Sequence, residues 1–173
     1  FNQLLMSVMR MFRKVSMVWR LLLAGLLTAI GGALLPEALG ASFEDVNALF
    51  SSHPTALILL EILLMKFLLA TFAIGLGIPG GIIGPVMVLG MLSGAVLLLP
   101  IAHWLPLDDF TSSFALLGIA GMLTAVLHAP LAALSAVMEL SYRPEVILPA
   151  ILVIVPAYVT ATQFLGNRSI FIQ

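Results

Sequence analysis

Cysteine is absent from this chain, which excludes disulfides and thiolate metal ligands. Charge is nearly as scarce. Only 9% of the 173 residues are charged, against about 25% in a soluble domain. By contrast 62% are hydrophobic, and the mean hydropathy is +1.21. The balance excludes a soluble fold and predicts an integral membrane protein. No basic stripe exists and the net charge is −1, so nucleic acid is not an expected partner. No pair of histidines stands at helical ligand spacing, so neither a metal nor another cofactor is expected. The serines lack a Gly-x-Ser-x-Gly elbow, and an enzyme is not expected. No cleavable leader is visible. Phe1-Asn-Gln-Leu4 begins as if inside an element, and the expectation is a piece of a longer protein.

What charge there is has a pattern. Arg10, Arg13, Lys14 and Arg20 make up most of the seven basic residues and cluster near the start. By the positive-inside rule this end faces the cytoplasm. Glu37, Glu44, Asp45, Asp108 and Asp109 fall in stretches that read as loops. Between the charges run apolar segments. Residues 1–15 read as a helix end, and 16–35 as an apolar helix with Gly25, Gly31 and Gly32 spaced for close packing in a bilayer. Pro36 ends it, and Ser42 is placed to cap a short helix closed by His53-Pro54. Residues 55–76 are long enough to span, since about 20 apolar residues suffice, and carry Lys66 in mid-segment. Residues 86–101 form a helix with Gly90 and Gly94 on one face, and Pro100, Pro106 and Asp108-Asp109 mark a surface loop. Residues 111–127 and 129–141 are short helices split at His128-Ala-Pro130, and Arg143-Pro-Glu145 is a surface loop. Residues 146–165 form a last helix, kinked at Pro149 and Pro156. Arg168 in the tail suits a cytoplasmic side. Broken and short helices in this number argue for transport rather than a simple anchor bundle.

The densest functional signal is Gly77-Ile-Pro-Gly-Gly-Ile-Ile-Gly-Pro85, which interrupts the apolar run with four glycines and two prolines. A break at membrane depth frees backbone groups and is tolerated only where protein or a polar cavity satisfies them. A helix restarting after it presents free N–H groups and the positive end of its dipole. That combination describes an anion site made of main chain, as in transporters with broken helices. A glycine kink between packed helices is the plain alternative.

The residues then resemble those of a family. Gly80-Gly-Ile-Ile-Gly-Pro85 is similar to the Gly-Gly-Ile-Phe-Ala-Pro motif of CLC chloride channels and chloride/proton exchangers. Leu35-Pro-Glu-Ala-Leu-Gly40 with Val46-Asn-Ala48, and Lys66-Phe-Leu-Leu-Ala-Thr71, resemble stretches that flank it in the family. So do Ala120-Gly-Met122, His128-Ala-Pro-Leu131 with Met138-Glu139, Ile147-Leu-Pro149 and Gly166-Asn-Arg-Ser-Ile-Phe171, all in the family's order.

The resemblance implies an all-α integral membrane fold with broken, tilted helices. Residues 1–173 would be the C-terminal half, the second inverted repeat, of a CLC-type transport domain. It implies transport of chloride or a similar monovalent anion, with chloride as the transported ligand, protons as a second substrate in exchangers, membrane lipid around it and a homodimer in the cell (inner) membrane. Backbone N–H groups of Ile82 and Ile83 would hold the anion, on a loop formed by Gly80, Gly81, Gly84 and Pro85. Ile83, Gly84 and Phe171 depart from the commonest pattern. Phe171 stands where the family has a tyrosine hydroxyl, and losing that neutral bond is worth about 0.5–1.5 kcal/mol; an interfacial aromatic is the alternative reading. Lys66 reads as structural, Glu139 as a helix-end residue, and Glu61 as lining a vestibule or snorkelling. His128 reads as packed or capping, with pH sensing as the alternative, and His53 and His103 as solvated. The gating and proton-transfer glutamates of the family have no counterpart in this sequence, so channel and exchanger stay open, and the chain by itself is not expected to conduct. A secondary transporter of another small anionic solute and a non-transporting scaffold subunit are the alternatives from other classes.

Overall fold

A computed structural model describes residues 1–36, 39, 55–77, 81–98 and 107–166. Among these, every regular element is helical: α1 (Asn2–Met11), α2 (Met17–Leu34), α3 (Ala56–Gly75), α4 (Ile83–Leu98), α5 (Leu107–Leu127), α6 (Pro130–Ser141) and α7 (Ile147–Val159). A 3₁₀ turn (Pro144–Val146) precedes α7 and a π turn (Thr160–Phe164) follows it. Among the described residues, three segments are long and apolar enough to cross a membrane: Met17–Leu34, Leu57–Gly75 and Pro144–Phe164. The expected short helix after Ser42 lies outside the described residues.

The chain divides into two compact units, Phe1–Pro85 and Val86–Gln173. In the first, α1 and α2 both pack on α3. The inward face of α3 carries Leu59, Ile62, Lys66 and Ala70, spaced three or four apart as a helical stripe requires. Leu57, Leu60, Leu64 and Leu68 point outward, which is the arrangement of a lipid-facing surface rather than a watery one. Leu5 and Val8 of α1 are buried, and an added Cβ on Gly75 would come within 2.6 Å of Val8. Phe1 meets Phe67 edge-on at 5.7 Å. Gly31 lets α2 close on Leu69, 2.8 Å from where its Cβ would stand. Gly25 does not share that role, because nothing lies within 4 Å of its Cβ position. Arg10, Arg13, Lys14 and Trp19 are all exposed, and cations and an indole near one chain end suit a membrane–water boundary. Arg20 instead turns back, its Nε donating to the Val15 carbonyl at 2.9 Å.

In the second unit α5 packs on both α6 and α7, which also pack on each other. Helix α4 supplies a densely buried row that includes Val86, Leu89, Met91, Leu92 and Leu98. It meets α5 backbone to backbone. A Cβ on Gly90 would fall 2.6 Å from the Gly118 carbonyl oxygen; one on Gly94 would strike the Phe114 carbonyl, and one on Gly118 the Gly90 carbonyl. Lipid tails supply no hydrophobic drive between helices, so close packing of this kind carries the association. Buried hydroxyls bond within their own helix: Thr71 Oγ1 donates to the Phe67 carbonyl and Thr124 Oγ1 to the Ala120 carbonyl, both at 2.7 Å.

Three sequence expectations need correction. Asp108 and Asp109 belong to the first turn of α5, not to a loop; acidic residues are favoured where a helix dipole is positive. Pro149 does not kink α7. It sits in the helix's first turn, where the missing N–H is not needed, and only Pro156 is interior. After Pro156 the ladder slips to π spacing, with the Leu165 N–H donating to the Thr160 carbonyl at 3.0 Å. Finally, residues 143–145 are a loop only in part, because Pro144 opens the 3₁₀ turn.

The glycine contacts predict that Gly118→Ala destabilises the full-length protein by about 1–3 kcal/mol. Gly25→Ala should be neutral or slightly stabilising, since Ala is the better helix former by about 1 kcal/mol. Thermal unfolding of the two variants in one detergent checks the difference.

Candidate anion site

Helix α3 ends at Gly75. The Leu76 N–H donates to the Phe72 carbonyl at 2.8 Å and the Gly77 N–H to the Ile74 carbonyl at 3.0 Å. Gly77 then takes φ +83°, a left-handed turn that costs a glycine nothing in sterics. Ile78, Pro79 and Gly80 lie outside the described residues. The chain reappears at Gly81, bends at Ile82 and becomes helical at Ile83.

The helix therefore starts three residues before Val86, where the sequence reading had begun it. Gly84 and Pro85 belong to its first turn rather than to the break. Proline is tolerated there because first-turn N–H groups have no helical partner. Val86 is the first residue whose N–H can reach back four positions, to Ile82. The donors without a partner inside the helix are the N–H groups of Ile82, Ile83 and Gly84, and Pro85 has none to offer. Gly84 is thus a donor that sequence reasoning had counted only as loop backbone. A proline three positions into a helix was the signal that could have found it.

No described heavy atom lies within 4 Å of the position a Cβ would take on Gly81 or Gly84. Gly81 and Gly84 are exposed, Ile82 and Pro85 are half-buried, and Ile83 is 51% exposed. These glycines are not filling a packing contact among the described residues, unlike Gly31, Gly90 or Gly118. What remains is a helix N-terminus with aligned N–H groups, a dipole worth roughly half a positive charge and no full charge in the motif itself.

The other singled-out residues do not gather here. Lys66 is buried, 7% exposed, on the packed face of α3, and it is not without a partner. Glu61 is exposed on the same helix, and Glu139 is exposed near the end of α6. His128 follows α5 with φ 56° and hands the chain through Ala129 to Pro130, the first residue of α6. Its ring lies edge-on to Tyr158 at 6.0 Å, and neither ring nitrogen has a hydrogen-bond partner. That is packing, as expected, without the capping bond. Phe171, His53 and His103 lie outside the described residues. Among the described residues, no three His, Asp or Glu side chains converge as a metal site would require.

The described residues are those of an all-helical fold with apolar helices long enough to cross a membrane, in which α3 ends at Gly75 and α4 starts at Ile83. The chain belongs to the voltage gated chloride channel family, whose pattern matches residues 1–162. It is 31% identical over 182 residues to the H(+)/Cl(-) exchange transporter ClcA of Cronobacter sakazakii, covering 99% of this chain and 38% of that protein. It is 30% identical over 183 residues to the ClcA of Klebsiella pneumoniae subsp. pneumoniae, again covering 99% and 38%. With a ClcA of Yersinia pestis it shares 29% identity over 178 residues, 99% of this chain and 37% of the relative. The chain thus spans under two fifths of the length of these relatives.

Two glycines of the motif should respond differently to alanine. Gly77→Ala forces a Cβ into the left-handed region, at a cost of about 1–2 kcal/mol, and should lower the thermal stability of the full-length protein. Gly84→Ala meets open space on a helical backbone and should leave stability and halide affinity intact. A Gly84→Ala variant that misfolds would show that the site is packed rather than open.

Proposed function

We propose that residues 1–173 are the C-terminal half of the membrane domain of a chloride transporter, with the anion held at the start of α4. Family membership and the relatives' names support chloride as the cargo and proton exchange as the mode. The observation that carries the site is the set of N–H groups on Ile82, Ile83 and Gly84 that have no partner within the helix, at a start where a Cβ on Gly81 or Gly84 meets no described neighbour. A halide entering the membrane must shed water, and these donors replace part of its shell while the dipole favours negative charge. No lysine or arginine stands in the motif, which keeps the anion's hold weak enough for release. The departures at Ile83 and Gly84 leave the main-chain donors in place. Phe171 would line the inner constriction without contributing a hydroxyl.

The complete protein would sit as a multi-pass protein in the cell membrane as a homodimer, one pathway per subunit. Residues 129–141 and 146–165 would contribute to the subunit interface. The chain's part is to bind and pass an anion, not to perform covalent chemistry, and no cofactor is invoked.

Reconstitution of the full-length protein in liposomes with a chloride gradient tests this reading. The expected result is chloride efflux coupled to an opposing proton flux. Chloride movement without protons would overturn the exchange mode. No halide flux at all would overturn the reading and favour another solute or a scaffold role.

A further inference from the structure

Within the second unit, a cavity of about 690 Å³ opens between the first half of α5, the turn at 143–146 and the start of α7. It is not part of the anion site. Phe114, Leu117 and Pro149 give it apolar walls, and Ser113, Arg143 and Glu145 supply its polar groups. The size lies within the roughly 300–1,000 Å³ of small-ligand sites.

The depth of the cavity follows from the helix beside it. Pro144–Phe164 is long and apolar enough to span, so its N-terminal end lies at a membrane surface. Next to that end Tyr142, 89% exposed, closes α6 in a left-handed conformation with φ 52°. An exposed tyrosine two residues ahead of a segment long enough to span suits headgroup level. The charged mouth is therefore among headgroups, and the apolar walls lie beside the glycerol and upper acyl region.

The charges select the headgroup. Arg143 and Glu145 flank Pro144, and the 3₁₀ turn that Pro144 opens fixes the backbone between them. Both are exposed, and among the described residues no ion pair joins them to each other. One cation and one anion at the mouth of a single apolar cavity complement a zwitterion. The geometry points to a binding site for a phospholipid with a primary ammonium headgroup, phosphatidylethanolamine. Its phosphate would accept from the Arg143 guanidinium and its ammonium would donate to the Glu145 carboxylate, with the Ser113 hydroxyl available to a phosphate or ester oxygen. A headgroup with phosphate alone would face Glu145 with like charge. A quaternary ammonium has no N–H for Glu145 and would want an aromatic cage, whereas Phe114 is the one aromatic ring among the lining residues.

The test is native mass spectrometry of the full-length protein in detergent, with phosphatidylethanolamine, phosphatidylcholine and phosphatidylglycerol added in turn. Preferential retention of phosphatidylethanolamine is expected. Arg143→Gln and Glu145→Gln should each reduce it roughly five- to tenfold. Glu145→Gln should in addition raise retention of phosphatidylglycerol. Leu117→Trp, which fills the cavity and leaves both charges, should abolish the preference while chloride flux persists. Equal retention of the three lipids would overturn the site. So would a preference that survives Leu117→Trp, or displacement of the lipid by millimolar inorganic phosphate.

Discussion

The constraint on which the structure turns is that a peptide group freed from a helix inside a membrane must find another partner. Most of this chain obeys it in the simplest way, by staying helical, and even the buried hydroxyls of Thr71 and Thr124 bond to their own helices. Among the described residues, the ladder of α3 stops at Gly77, which takes a left-handed turn, and α4 opens at Ile83 with three donors that have no partner within the helix. A break of this kind persists in a nonpolar slab only if something polar occupies it. Under the proposed function a partly dehydrated anion would meet that demand, and the cargo would complete the hydrogen bonding of the break.

Close helix packing serves the same end. Helix α4 must be held firmly for its N-terminus to be a defined site. The contact that holds it is backbone against backbone, with Gly90 and Gly94 on Gly118 and Phe114. The motif glycines differ in kind. A Cβ on Gly81 or Gly84 would meet no described neighbour, so these glycines are not packing contacts among the described residues as Gly90 and Gly94 are. Lys66, buried on α3, is not without a partner.

Much of this was legible in the sequence, for physical reasons that also mark where legibility stops. The apolar runs gave α2 and α3 almost to the residue, because a membrane span needs length and apolarity and little else. The break was legible from its glycines and prolines. The restart at Ile83 was not, because Gly84-Pro85 reads as a breaker when position within the first turn is unknown. The same confusion hid the first turn of α5 behind Asp108-Asp109 and overrated Pro149. In each case a residue that stops a helix interior suits a helix start. Spacing marked Gly25, Gly31 and Gly32 alike, but only tertiary structure shows that Gly25 meets no neighbour. The pairing of Arg143 and Glu145 at one cavity was invisible for a similar reason, since its walls come from α5 and α7. The family resemblance rested on motifs spread along the chain, and the match over residues 1–162 agrees with it.

The central claim is that main-chain donors at the start of α4 hold the anion. Bromide replaces chloride chemically and scatters anomalously, so diffraction from bromide-soaked crystals of the full-length protein locates it directly. The account predicts an anomalous peak within about 3.5 Å of the backbone nitrogens of Ile82 and Ile83, allowing for an anion larger than oxygen. Bromide bound elsewhere in the membrane domain, with that position empty, would contradict it.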